Sequence, residues 1–298
     1  MLGGGLHPGL SFEFYTDIPA ANISALKEMT RSPLHYRYRL AHQKETPALA
    51  LGRAAHAAVL EPERFETDFV LWDQLTESGR LRPRNGKDWD AFCEANKGKT
   101  ILKPDDHRHA LNVRDAVRAK RVAKKYLMGG KPEMSMLWTD AATGHPCKGR
   151  VDWITYVDAV DCIVGLKSAR DLDPRRFASQ AATLGYPLQW AFYFDGYSTI
   201  TGNAPRMVEI CVEASPPHDV IVFVIPDEVI EYGREEYRAC LSRLIECERS
   251  DRWLGRAENE VFFELPTYLQ ERDDEDLAGL ELEGEERSRA VALINEDL

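Results

Sequence analysis

Residues 147–157 and 160–168 are two strand-like runs parted only by Asp158-Ala159, and that gap constrains the fold more than any other feature. So short a connection joins antiparallel neighbours in a β-hairpin. Residues equidistant from the turn then face each other, which sets Asp152 opposite position 165. Strand side chains repeat every two residues, so position 165 and Lys167 share a face. Asp152, position 165 and Lys167 therefore meet at one spot. A carboxylate or an ammonium inside a central strand is costly unless a cation, donors or a counter-charge meet it. The spot reads as a functional site and not as packing.

The flanking sequence supplies helices and further strands. Residues 134–139 read as a strand ahead of the turn Gly144-His145-Pro146, and residues 206–214 and 220–225 as a second hairpin. Ser24 is placed to cap a helix ending near Ser32-Pro33, and residues 33–40 form another short one. Thr46-Pro47 starts a helix over 48–60, with a capping hydroxyl and proline at the first helical position. Residues 78–104 read as a polar loop with a short helix near Trp89. Residues 105–127 read as one long helix, with Arg114, Arg118, Arg121 and Lys125 at helical spacing. Asp173-Pro174 caps a helix to about residue 184. The next helix, about 187 to 200, places Gln189 and Tyr193 four apart on one face. Residues 226–249 form a last long helix. Strands, flanking helices and a central hairpin predict an α/β (α+β) fold with a central mixed sheet flanked by helices.

The net charge of −11 argues against an anionic partner until its distribution is counted. Residues 271–298 hold eleven acids and three bases, a net of −8, which leaves −3 on residues 1–270. A near-neutral body can carry a basic groove. The expected organisation is a loose glycine-rich segment over 1–19, one domain over 20–270, and an acidic tail over 271–298 that serves as a mobile or docking segment. No run of eighteen apolar residues predicts a membrane span, and no charged-then-apolar leader opens the chain. Six cysteines, at 93, 147, 162, 211, 240 and 247, form no C-x-x-C pair and complete no zinc site. They read as free thiols of a reducing cytoplasm. The phosphate-loop, nucleophile-elbow and dinucleotide glycine motifs are absent, so an unrelated α/β enzyme class has no support.

Several short segments follow one another in a telling order: Gly52-Arg53-Ala54-Ala55-His56, Gly149-Arg150-Val151-Asp152, Leu166-Lys167-Ser168 and Gln189-x-x-x-Tyr193. Ser32-Pro33-x-His35-Tyr36 and Leu60-Glu61-Pro62-Glu63-Arg64-Phe65 accompany them. Together they resemble the motifs of the RecE-type exodeoxyribonucleases (exodeoxyribonuclease VIII-like), a branch of the PD-(D/E)XK nuclease superfamily. The resemblance runs from about residue 20 to about residue 265. It implies a restriction-endonuclease-like core and digestion of linear double-stranded DNA from 5′ ends. It also implies Mg2+ (or Mn2+) as cofactor, a homo-oligomeric ring around DNA, a single-strand annealing recombinase as partner, and a phage or prophage setting in a bacterial cytoplasm.

The chemistry fits that expectation. Hydrolysing a phosphodiester needs an activated water and stabilisation of added negative charge, and a divalent cation held by hard oxygen ligands supplies both. The resemblance implies that Asp152 is the central metal carboxylate, that the Leu166 carbonyl binds too, and that His56 joins from a neighbouring helix. It makes Lys167 the residue that orients the attacking water or lowers its pKa. Gln189 and Tyr193 would steady the lysine and a DNA phosphate. Arg53, Arg170, Arg175 and Arg176, close to these motifs, are candidate phosphate contacts.

Position 165 departs from the pattern. The family pattern resembles D-L-K-[ST], whereas this chain has Gly165-Leu166-Lys167-Ser168, so the expected metal-binding acid is missing. Three accounts remain open: an introduced inactivation, natural decay into a DNA-end-binding or partner-recruiting protein, or another acid in its place. Glu133, just before the strand at 134, is the candidate substitute, with Asp161 at the hairpin end behind it.

Overall fold

The computed structural model describes residues 2–42 and 46–265, so the acidic tail at 271–298 lies outside the described residues. The chain divides into two units, residues 1–256 and 257–298, and the elements below belong to the first.

Polar caps and prolines start the early helices. Ser11 caps α1 (Phe12–Asp17), and Ser32 caps α3 (Pro33–Ala41). Between them, α2 (Ile23–Leu26) runs into a 3-10 turn over Lys27–Thr30. Its cap is Asn22, whose Oδ1 accepts the Ala25 amide at 3.0 Å; Ser24, the expected cap, lies inside the first turn. Thr46 Oγ1 accepts the Leu49 amide at the start of α4 (Pro47–Leu60), as the sequence predicts. Next come α5 (Pro62–Asp68) and α6 (Gly86–Ala95), the short helix at Trp89. The long helix expected over 105–127 is two helices, α7 (Pro104–Ala119) and α8 (Arg121–Leu127). Lys120 breaks them with an extended ψ of 112°, and the break lets α8 turn Ala123 and Tyr126 into a core.

The first residues are more ordered than their glycines suggest, because β1 (Gly5–His7) pairs antiparallel with β5 (Lys131–Thr139). The short strand β2 (Ala21–Asn22) lies parallel to β6 (Pro146–Val157). Two three-residue strands, β3 (Phe69–Leu71) and β4 (Thr100–Leu102), form a separate parallel pair that sequence reading misses.

The main sheet continues through β7 (Val160–Ala169), β8 (Arg206–Glu213) and β9 (Val220–Val224), in the order β1-β5-β6-β7-β8-β9. The β6–β7 hairpin has the expected register, from Val157 opposite Val160 to Trp153 opposite Val164. Asp158 and Ala159 adopt the left-handed φ values of 52° and 64° that a two-residue turn requires. β7 and β8 are parallel, which makes the sheet mixed. Parallel neighbours need a crossover, supplied by α9 (Pro174–Thr183) and α10 (Tyr186–Thr201). The last helix is α11 (Asp227–Ser250).

Two cores sandwich the sheet. On one face, Leu26, Met136, Trp138, Phe192, Leu241 and Leu244 join α2, α10 and α11 to the strands. On the other, Val113, Val117, Val164, Leu166 and Ile210 join α7 to β7 and β8. Burying each such side chain contributes about 1.5–3 kcal/mol before entropy is counted. All six cysteines are free. Among the described residues, no helix is long and apolar enough to cross a membrane.

Candidate metal and catalytic site

The site forms where the sheet ladder is interrupted. On β5 and β6 the pairs Pro132–Trp153 and Met134–Val151 are in register, but Glu133 and Asp152 between them do not pair. Glu133 has a left-handed φ of 47°. On the other side of β6, pairing with β7 stops at Trp153–Val164. The Asp152 side chain takes up the amide that the ladder leaves over: Leu166 N donates to Asp152 Oδ2 at 2.9 Å. A carboxylate in an apolar sheet is thus fixed by a backbone donor.

Three sequence-predicted residues converge here. Lys167 Nζ lies 3.5 Å from Asp152 Oδ2 and 3.5 Å from the Leu166 carbonyl oxygen. His56 Nδ1, from α4, lies 4.0 Å from the same Asp152 oxygen. The three side chains keep 18–28% of their area exposed, so the group opens to solvent without standing in it. Burial favours the neutral acid at Asp152, but Lys167, His56 and the Leu166 amide outweigh it and hold the carboxyl below its usual range. Burial also works against the Lys167 ammonium, and there Asp152 and Glu209 prevail and raise its pKa. His56 is lowered by burial, with Asp152 pulling the other way. It is disposed to present a neutral ring, the form that binds metals.

Gln189 and Tyr193 project from α10 into the same region. With Asp152, Gly165, Lys167 and Glu209 they line a small cavity of about 10 Å³, roughly the room that one water or ion needs. Gly149 makes way for Tyr193, since a Cβ on it would lie 2.9 Å from the ring.

Sequence reasoning missed Glu209 and Trp190. Glu209 sits on β8 directly beside Gly165 and is 2% exposed. Trp190 Nε1 donates to its Oε2 at 2.6 Å. Its Oε1 is buried with no hydrogen bond inside 3.5 Å and is ion-paired with Lys167 Nζ at 3.6 Å. Burial raises its pKa, with Lys167 opposing. The signal was present: an acid inside the apolar run Met207-Val208-Glu209-Ile210-Cys211 is as anomalous as Asp152.

The other candidates do not line that cavity, although Glu133 stands at the register position opposite Asp152 and feels its charge. Glu133 lines a larger cleft of about 520 Å³ with Glu61, Arg64 and Arg150. Burial, then the charges of Asp152 and Glu61, push it up to about 7. Asp161 accepts from Asn203 near the turn end of the hairpin, four residues along β7 from Gly165. Arg53, Arg170, Arg175 and Arg176 are exposed, and Arg176 is paired with Asp171 at 2.6 Å. Charges on the helices over 104–127 are partly tied down, Arg118 to the Val59 carbonyl and Lys125 to Asp158.

Among the described residues, no three His, Cys, Asp or Glu side chains form a ready-made metal cluster. The donors nonetheless suit a small hard cation. Asp152 and the Leu166 carbonyl offer oxygens, His56 offers an imidazole, and Glu209, whose Oε1 has no close donor, lines the same small cavity as Asp152.

Residues 22–264 match a family described as a PDDEXK-like domain of unknown function (DUF3799). Among solved structures, a protein of Eubacterium rectale that carries an exonuclease designation matches with a TM-score of 0.57 and 14% identity, over 89% of this chain and 98% of its own. A second structure, SSO0001, gives a TM-score of 0.28 at 15% identity over 72% of this chain and 84% of its own, too low to argue from. No curated protein matches. The Eubacterium likeness is one of fold, a mixed sheet flanked by helices, as the sequence predicts.

Proposed function

We propose that this chain, which belongs to the PDDEXK-like domain family (DUF3799) and so to the PD-(D/E)XK nuclease superfamily, is a metal-dependent exodeoxyribonuclease of linear double-stranded DNA. The observation that carries the reading is the meeting of Asp152, Lys167 and His56 from two strands and a helix within 4.0 Å of one carboxylate oxygen. Its finer parts rest on the motif resemblance: a RecE-type enzyme, 5′-to-3′ polarity, Mg2+ or Mn2+, a homo-oligomeric ring, an annealing recombinase as partner, and a phage-type recombination role in a bacterial cytoplasm.

A divalent cation bound here would supply charge neutralisation at the phosphate and acidify the attacking water. Asp152 and the Leu166 carbonyl would hold it, with His56 beside them. Lys167, kept cationic by its two carboxylate neighbours, would orient the water and the scissile phosphate. Gln189 and Tyr193 would confine the lysine on the α10 side. Arg53, Arg170, Arg175 and Arg176 would hold the DNA backbone, which fixes position without reading sequence.

Glycine at position 165 and the lack of a three-residue cluster among the described residues favour a second reading, a DNA-end-binding protein that does not cleave. End-labelled linear duplex, a nicked-circle control, and Mg2+, Mn2+ or EDTA separate the two. Metal-dependent loss of 5′ label from linear DNA alone supports the nuclease. Retention of ends at full length with tight binding supports the binder.

A further inference from the structure

Resting on the metal-dependent reading above, we infer that Glu209 supplies, from the adjacent strand, the metal-binding carboxylate that position 165 lacks. The acid has not vanished from the site; it has changed strands.

Register is the first ground. Gly165 and Glu209 are direct partners across the parallel β7–β8 ladder, as are Lys167 and Cys211. Parallel partners point the same way, so Glu209 projects on the face that carries Gly165 and Lys167.

Space is the second. A Cβ built on Gly165 would lie 2.3 Å from Glu209 Oε1 and 2.7 Å from both Cδ and Oε2. The Glu209 carboxylate occupies the volume that a side chain at 165 would claim. Glycine at 165, a poor strand residue by its own propensity, is what this arrangement requires. The glycine and the glutamate are two halves of one exchange.

Hydrogen bonding is the third. Glu209 is fully buried, yet only Oε2 has a donor, Trp190 Nε1. Oε1 has only the long ion pair with Lys167 Nζ at 3.6 Å, and Glu209 lines the one-atom cavity with Asp152 and Lys167. A buried carboxylate oxygen met by no close donor is under-satisfied. A counter-ion for Lys167 would be better served at hydrogen-bonding distance than at 3.6 Å.

The test is Mn2+ binding to the full chain by calorimetry, together with cleavage of linear duplex. The variants are Glu209→Gln, Gly165→Asp/Glu209→Ala and, as reference, Asp152→Asn. Glu209→Gln keeps the shape and the Trp190 contact; thermal unfolding checks that it folds. The inference predicts that Glu209→Gln weakens Mn2+ at least about 10–100-fold, the range seen when supporting groups around a metal are removed. It predicts that the double variant, with its carboxylate returned to β7, recovers binding and cleavage to within a few-fold of the parent. If Glu209→Gln binds Mn2+ like the parent while Asp152→Asn does not, the inference is overturned and the nuclease reading stands. If the parent and Asp152→Asn bind Mn2+ equally, or neither binds, both fall.

Discussion

Asp152 accepts the amide of Leu166 with the same oxygen that faces the Lys167 ammonium, at 2.9 Å and 3.5 Å respectively. One carboxylate oxygen thus binds the strand that bears the lysine and fixes the lysine beside itself. Strand pairing and catalytic geometry are the same interaction here, so a change at Asp152 acts on both.

Asp152→Asn keeps the shape of the side chain and removes the charge. Metal-assisted charge stabilisation is worth several kcal/mol, so cleavage of linear duplex falls by about 10²–10⁴-fold. His56→Ala lowers metal affinity with less effect on folding. Metal titrations of both variants, with cleavage rates at saturating metal, check the pair.

Lys167→Met removes the only cation shown between Asp152 and Glu209. The loss of a water-orienting group lowers the cleavage rate by about 10²–10⁴-fold. Two buried carboxylates then face each other uncompensated, so the variant melts earlier than the parent. Mn2+ raises its melting temperature by more than it raises the parent's. Thermal unfolding with and without the ion reads this directly.

Trp190→Phe takes away the one hydrogen bond shown to Glu209. Losing a donor to a buried charged group destabilises by about 1.5–3 kcal/mol. Urea unfolding at constant metal concentration measures it, and an unchanged midpoint would show that the indole contact contributes nothing.

Glu133 gives the site region a pH dependence. Its folded pKa is about 7 against an ordinary 4.5, so between those values the folded chain binds more protons than the unfolded one. Its contribution to stability is present in full below about pH 4.5 and is lost as pH rises through about 7. Glu133→Gln removes that loss. The variant's melting temperature varies less than the parent's between about pH 5 and about pH 8.

The sequence made the centre of the molecule legible because a two-residue turn admits one register. Asp152, position 165 and Lys167 could be brought together from that turn, whereas His56 joined them only through the motif resemblance. Other features depended on contacts that no local signal carries. β1 pairs from a glycine-rich stretch in which Leu6 alone packs against the core. The break at Lys120 follows from how α8 packs, not from a proline or glycine. Gly165 read as a loss because its explanation sits on β8, forty-odd residues downstream and joined only by a parallel ladder. The charge inside the run at 207–212 was a visible anomaly, of the same kind that exposed Asp152, but only the register shows which glycine it answers.

The most direct measurement of the nuclease assignment is a time course of linear duplex labelled separately at its 5′ and 3′ ends, in Mg2+, for the parent and Asp152→Asn. The account predicts early release of the 5′ label by the parent, none in EDTA, and little by the variant. Equal release by parent and variant, or intact ends with the parent at saturating metal, would contradict it.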